Sequence, residues 1–473
     1  MTITSLSFAG FVLITLALYY ALPRRPQNIL LLAASYVFYL TWSPTYTLIL
    51  AALTAINFAL SHRVRRADQP RRRWMWAGIG INVAALAFFK FADFFKADFS
   101  DLVERLGFST GAGGLEILLP VGMSFYIVAV ISYLIDAARG QVEPTRDPVD
   151  FALYMAYFPK LIAGPIERAR VFLPRLAEPR IVDNDRLSRS FTLIVVGVVR
   201  KLVIADLLTT LIPENVFQTP AEFSPLELAG YLVAYAFALY NDFAGYTSIA
   251  RGVSGLFGIE LAANFRTPYF SRSLTEFWNR WHITLSQWLR DYIYFPTSRA
   301  LLRRNPSRMN IPNILIPPML TMLISGLWHG VGWGFIIWGG LHGFYLIVER
   351  VWSLLRPALP LQRQPKWRQA ISMVLVFGAV LLAWIPFRMG GRITLDFVRA
   401  MTNLSDWAHP TVRLALLLVP ALWLDWVQTR RDDELIFLRW PQLAQATLLA
   451  LAILAILVAT TVDTSPPFVY QGF

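Results

Sequence analysis

A chain of 473 residues that is 56% hydrophobic, 14% aromatic and 15% charged falls well below the about 25% charged residues of a typical soluble domain, which excludes a string of water-soluble domains. The lack of cysteine excludes disulfide staples, thiolate metal sites, cysteine nucleophiles and S-acylation. A formal charge of +13 would suggest nucleic acid in a soluble protein, but repeated apolar stretches of about 20 residues read as membrane spans; the basic residues then belong to cytoplasmic loops, and no nucleic-acid partner is expected.

The first span is expected at residues 8–21, followed by Arg24 and Arg25. A signal peptide would carry positive charge ahead of its apolar core, whereas the first seven residues carry none. Residues 28–60 are too long for one span, and Trp42-Ser43-Pro44 interrupts them, so they predict a helical hairpin. Arg63, Arg65, Arg66, Arg71, Arg72 and Arg73 then form the densest basic loop. With both basic segments inside, the N-terminus lies outside. Residues 74–95 lead out to a loop holding Asp98, Asp101 and Glu104, and 118–135 lead back to Arg139 and Arg146.

Residues 151–165 are apolar but short and end in Gly164-Pro165, which predicts a segment that enters without crossing. A mixed loop with Arg168, Arg170, Arg175, Arg180 and Arg186 follows. Further spans are expected near 191–212, 226–246, 314–327, 333–348, 370–387, 414–427 and 442–462. The fold class is therefore all-α and polytopic, with about 10–12 crossings plus re-entrant and interfacial amphipathic helices. It is read as one integral-membrane domain over 1–473: N-terminal helices to 150, a catalytic core over 151–350, and C-terminal helices beyond. No internal repeat is visible, which argues against an inverted-repeat transporter.

Residues 271–295 read SRSLTEFWNRWHITLSQWLRDYIYF. At about 100° per residue, Leu274, Phe277, Trp278, Trp281, Leu285, Trp288, Leu289 and Tyr292 form one apolar stripe, with Glu276, Asn279, Arg280, Gln287, Arg290 and Asp291 opposite. Ser273 and Glu276 have capping-box spacing. The pattern predicts a tryptophan-rich helix in the membrane interface, with His282 at the border of its two faces. That histidine either packs beside Trp278 and Trp281 or presents an imidazole to a headgroup or acyl donor.

His329 lies in LISGLWHGVGWG at 323–334. Glycines 326, 330, 332 and 334 let backbones or a ligand approach closely, and an ionisable group at membrane depth marks a functional cavity. His342, between Leu341 and Gly343, has similar surroundings. The three histidines lack the i,i+4 spacing of helical zinc pairs and no HExxH occurs, so no metal is expected. Serine-hydrolase, P-loop and dinucleotide signatures are missing as well. Acyl transfer from a thioester to a hydroxyl suits what remains: an imidazole moves the proton and a donor meets the oxyanion.

At this point the chain resembles the membrane-bound O-acyltransferases, in particular their bacterial polysaccharide O-acetyltransferase branch. The runs that carry the resemblance are YFPKLIAGPI at 157–166, DFAGYT at 242–247, NFRTPY at 264–269, EFWNRWHITLS at 276–286, WLRDY at 288–292 and GLWHG at 326–330. The resemblance implies a ring of helices around a central tunnel, with His329 catalytic and His282 the second active-site histidine. Asp242, Asn279, Arg280, Trp281, Arg290, Asp291 and Trp328 match motif positions and are expected to line or support the site. It further implies no permanently bound cofactor, with acetyl-CoA or a carrier-protein phosphopantetheine thioester as donor. The acceptor is a cell-wall or exopolysaccharide hydroxyl, served by a periplasmic transferase or esterase-like partner. The location is a bacterial inner membrane with the N-terminus in the periplasm. One segment departs from the branch: after Tyr294-Phe295-Pro296 a glycine-containing loop is replaced by TSRALLRR at 297–304, which bears on donor handling and partner contacts. The alternatives are a D-alanyl transferase fed by a carrier protein and, in another class, a lipid-linked sugar transporter or flippase lined by Lys90, Arg200, Lys201 and Asp242.

The cysteine-free chain allows a direct test of orientation. In intact cells, a Thr2→Cys variant should react with an impermeant maleimide, and an Arg72→Cys variant should react only after the membrane is opened; the opposite pattern would invert the topology.

Overall fold

The computed structural model describes residues 1–66, 69–70, 72–91, 119–180, 183–307, 309–355, 364–402 and 412–461. The expected acidic outer loop with Asp98, Asp101 and Glu104 lies outside the described residues, as does Arg71. Helices dominate the fold; among the described residues the only strand pairing is Arg65–Arg66 with Gln69–Pro70. Packing divides the chain into two units, Met1–Ser190 with Val253–Ala262, and Phe191–Gly252 with Ala263–Phe473.

The first unit begins with α1 (Leu6–Tyr20), whose N-cap Ser5 accepts a hydrogen bond from the Phe8 amide at 3.2 Å. The interrupted apolar block forms the predicted hairpin, α2 (Arg24–Leu40) and α3 (Pro44–Val64), and the chain turns where Pro44 opens the second helix. Next come α4 (Arg72–Phe91) and α5 (Met123–Ala138). The short apolar segment is two buried pieces: α6 (Pro148–Ala156), capped by Asp147, and α7 (Phe158–Leu161), separated by Tyr157 at ψ 112. Pro159 in its first turn suits a fresh helix start. Ser35 accepts from the Phe158 amide at 3.0 Å, and Tyr157 shares a 3.0 Å hydrogen bond with Ser254. Then follows α8 (Ala169–Ala177).

The second unit begins within α9 (Asn184–Val198), which runs on as a π-helix over Val199–Asp206 and ends in α10 (Leu207–Thr210). Beside it stands α11 (Pro225–Leu256). The two backbones meet at glycine: a Cβ on Gly245 would fall 2.7 Å from the Gly197 carbonyl oxygen and 2.9 Å from the Lys201 amide. After α11 the chain forms α12 (Leu274–Arg280), α13 (Ile283–Leu289), a π-helical turn over Arg290–Tyr294 and α14 (Phe295–Arg304). A tight hairpin of α15 (Ile311–His329) and α16 (Trp333–Leu355) follows, then α17 (Lys366–Met389), α18 (Gly391–Thr402), α19 (Val412–Arg431) and α20 (Gln442–Thr460). Among the described residues, α3, α4, α15, α17 and α20 are each long and apolar enough to cross a membrane.

The single helix predicted over 271–295 is divided. Trp281 is extended (φ −99°, ψ 129°) and His282 left-handed (φ 40°, ψ 54°), so the helical period breaks between α12 and α13. The stripe residues Phe277, Trp278, Trp281, Leu285, Trp288 and Leu289 are all buried against protein. Local periodicity identified the inward face, and tertiary hydrogen bonds overrode its continuity. Ser273 does cap α12, accepting from the Glu276 amide at 3.0 Å, while Glu276 reaches the amide of Arg272 at 2.8 Å. The carboxylate of Glu349 on α16 accepts from the Leu274 amide at 2.6 Å, placing negative charge at the N-terminus of α12.

The glycine contact gives a stability test. Gly245→Val should destabilise the purified protein by about 1–3 kcal/mol in thermal unfolding in detergent, because a backbone must move. Gly340→Ala, where an added Cβ meets nothing within 4 Å, should leave stability unchanged or slightly raised.

Candidate active site

His282 sits in the break between α12 and α13 and is 0% exposed. Its left-handed backbone costs on the order of 1–3 kcal/mol for a residue with a side chain, so its surroundings must hold it there. The extended segment before α12 does so. The Asn264 carbonyl accepts from the Ile283 amide at 2.8 Å, and the Arg266 amide donates to the Arg280 carbonyl at 3.0 Å. The Asn264 side-chain oxygen lies 3.1 Å from Nδ1 of His282 and also meets the amide of Thr284 at 3.2 Å and its hydroxyl at 2.9 Å. The imidazole packs edge-on to Phe243 at 4.8 Å and to Trp328 at 6.0 Å.

His329 is the last residue of α15 and is 3% exposed. The helix stops because Gly330 is extended, and Gly332 at φ +138° takes a conformation suited to glycine before α16 begins. A Cβ on Gly326 would fall 2.2 Å from the Phe335 carbonyl oxygen, and one on Gly339 2.4 Å from that of Met322. Small residues thus let α15 and α16 touch backbone to backbone, as membrane helices do. The ring of His329 lies 4.9 Å from Trp328, 5.0 Å from Trp338 and 5.4 Å from Phe387.

Trp328 therefore stands between the two histidines, and Trp338 carries the chain of rings on to His342, also at 5.0 Å. His342 is fully buried, stacked on Phe277 at 6.1 Å and edge-on to Trp278 at 5.0 Å. Trp281 fills the core behind, 5.1 Å from both Phe265 and Trp384. Trp278 borders a cavity of about 660 Å³ whose wall includes Asn279, Arg290, Tyr294, Met322 and Arg350. Arg290 donates to Asn279 at 3.2 Å.

The remaining expected residues have the following partners. Arg280 pairs with Glu276 at 2.9 Å and reaches Thr267 at 3.3 Å. Asp291 is half-buried on the π-helical turn and does not line that cavity. Asp242 joins a buried ion cluster: Lys201 meets Asp242 at 2.9 Å and Asp206 at 2.6 Å. Among the described residues no group of three or more histidines and carboxylates is arranged to hold a metal ion. Sequence reasoning gave no role to Asn264, Trp338 or Phe387. The available signal for Asn264 was a polar side chain in an otherwise apolar run ahead of Arg266; the two aromatic residues lie in apolar helical runs that give no local mark of a site.

Comparison with known proteins bears on what such a site does. The family model described as "MBOAT, membrane-bound O-acyltransferase family" matches residues 137–388. A probable alginate O-acetylase of Azotobacter vinelandii is 37% identical over 411 residues, 86% of this chain and 79% of the relative. A peptidoglycan O-acetyltransferase of Helicobacter pylori is 31% identical over 387 residues, 76% and 70% of the two chains. A teichoic acid D-alanyltransferase of Streptococcus thermophilus is 30% identical over 278 residues, 54% and 67%.

The ion cluster can be tested without any transfer assay. Lys201→Met takes away the ammonium that Asp206 and Asp242 share, and should cost about 3–5 kcal/mol in thermal unfolding. Adding Asp242→Asn should recover part of that loss, since it removes one of the two facing charges.

Proposed function

Because the chain belongs to the membrane-bound O-acyltransferase family and is a multi-pass membrane acyltransferase, we propose that it moves acetyl from a cytoplasmic thioester toward a cell-wall or exopolysaccharide hydroxyl, with His329 as general base. The observation that carries this reading is a nearly inaccessible imidazole at the end of a membrane-length helix, enclosed by Trp328, Trp338 and Phe387. An apolar enclosure keeps water from competing for the acyl group and strengthens each polar contact inside it.

In the proposed step a ring nitrogen of His329 takes the proton of the acceptor hydroxyl as its oxygen attacks the thioester carbonyl carbon. The tetrahedral intermediate collapses, the C–S bond breaks, and the imidazolium returns its proton to the leaving thiolate. The products are an O-acyl ester and a free thiol, and no covalent enzyme intermediate is required. His282, on the other side of Trp328, is assigned to polarise or deprotonate a reacting group at the same centre. The cavity bordered by Trp278, with Arg290 and Arg350 in its wall, has the amphipathic character of a thioester donor with an apolar arm and phosphates. Acetyl-CoA is the proposed donor, used in the inner membrane, with a periplasmic N-terminus and a periplasmic partner that completes delivery. The names of the relatives favour this over the D-alanyl alternative: an O-acetylase is matched at 37% over 86% of the chain, a D-alanyltransferase at 30% over 54%.

The test is thiol release from acetyl-CoA by the purified protein in nanodiscs supplied with an oligosaccharide acceptor. His329→Ala, matched for folding, should lower the rate by at least about 100-fold, in line with loss of a positioned base. Equal release from both proteins would remove His329 from this role.

A further inference from the structure

We propose that Asn264 is a positioning residue that fixes the tautomer and orientation of His282, leaving Nδ1 protonated and Nε2 with the lone pair. The chemical argument starts from the neighbouring groups. The Thr284 amide can only donate, and it lies 3.2 Å from the side-chain atom of Asn264 that also contacts His282. That atom is therefore the amide oxygen, and the Thr284 hydroxyl at 2.9 Å donates to it too. Nδ1 of His282, 3.1 Å from the same oxygen, faces an acceptor and must carry a proton. A neutral imidazole has one N–H, so Nε2, on the far edge of the ring from Asn264, is the basic nitrogen.

The backbone serves the same end. The Asn264 carbonyl holds the Ile283 amide, and His282 itself is left-handed, one of three such non-glycine residues among those described. One asparagine thus uses its main chain to secure the break and its side chain to orient the ring inside it. This is the arrangement by which an outer residue sets the tautomer of a functional histidine. The catalytic consequence rests on the reading above that His282 acts at the acyl-transfer centre; the tautomer assignment does not.

The experiment separates the two. The full chain has five histidines, so ¹⁵N-histidine labelling in nanodiscs gives a small set of signals, and His282→Gln identifies the one at issue. The native protein should show His282 protonated at Nδ1. Asn264→Leu should move it to the Nε2–H form that an unconstrained imidazole prefers and lower kcat about 10- to 100-fold, with KM within about twofold. Asn264→Asp, which keeps an acceptor, should retain the Nδ1–H form and restore most of kcat. Thr284→Val loses a different hydrogen bond to the same oxygen and should leave the tautomer alone. An Nε2–H signal in the native protein, or an unchanged tautomer in a folded Asn264→Leu, would overturn the proposal whatever the activity. A shifted tautomer with full activity would uphold it and instead remove His282 from the transfer reaction. Should Asn264→Leu fail to fold, the native and Asn264→Asp spectra still decide.

Discussion

A backbone that leaves the helical ladder in an apolar medium must find its hydrogen bonds inside the protein. The segment around His282 obeys this constraint, and the candidate site depends on how it does so. Between α12 and α13 the chain is extended and then left-handed, which frees amides that must find partners in the buried interior. Asn264, Arg266 and Arg280 take part in the replacement bonds. An irregular backbone fixed from outside its own helix can hold a side chain at an angle that a continuous helix would not provide.

Close packing supplies the second requirement. Gly326 and Gly339 bring α15 and α16 together with no room for a Cβ. Trp338 on α16 thereby lies 5.0 Å from His329 on α15. The resulting series of rings, His282, Trp328, His329, Trp338 and His342, is rigid because each aromatic side chain has few torsions and is confined by its neighbours. Such an enclosure suits chemistry in which a reactive acyl group must be kept from water.

Charge is handled by pairing. Arg200 meets Asp425 at 2.6 Å, Asn241 at 2.7 Å and Gln428 at 3.0 Å, and the adjacent Lys201 meets Asp206 and Asp242. The π-helix places these two consecutive cations against two different sets of acceptors. Arg200, Lys201 and Asp242, three of the residues considered for a transport pathway, are thus held in ion pairs, and the interruption in α9 is anchored by them.

Sequence by itself determined the helical membrane class, the interruption at Trp42-Ser43-Pro44 and the cap at Ser273. Each of these is local: apolar length, a proline or a capping side chain. The family resemblance was equally legible, because its motifs are contiguous runs. Tertiary structure decided what depends on partners distant in the chain. The regular period of residues 271–295 gave no sign that the helix breaks at His282, since the bonds that break it come from Asn264, 18 residues earlier. Likewise Asp242 matched a motif, but only the fold shows it paired with Lys201. Helical periodicity records which face a residue turns inward; which neighbour it meets there is set by packing between segments that the sequence keeps far apart.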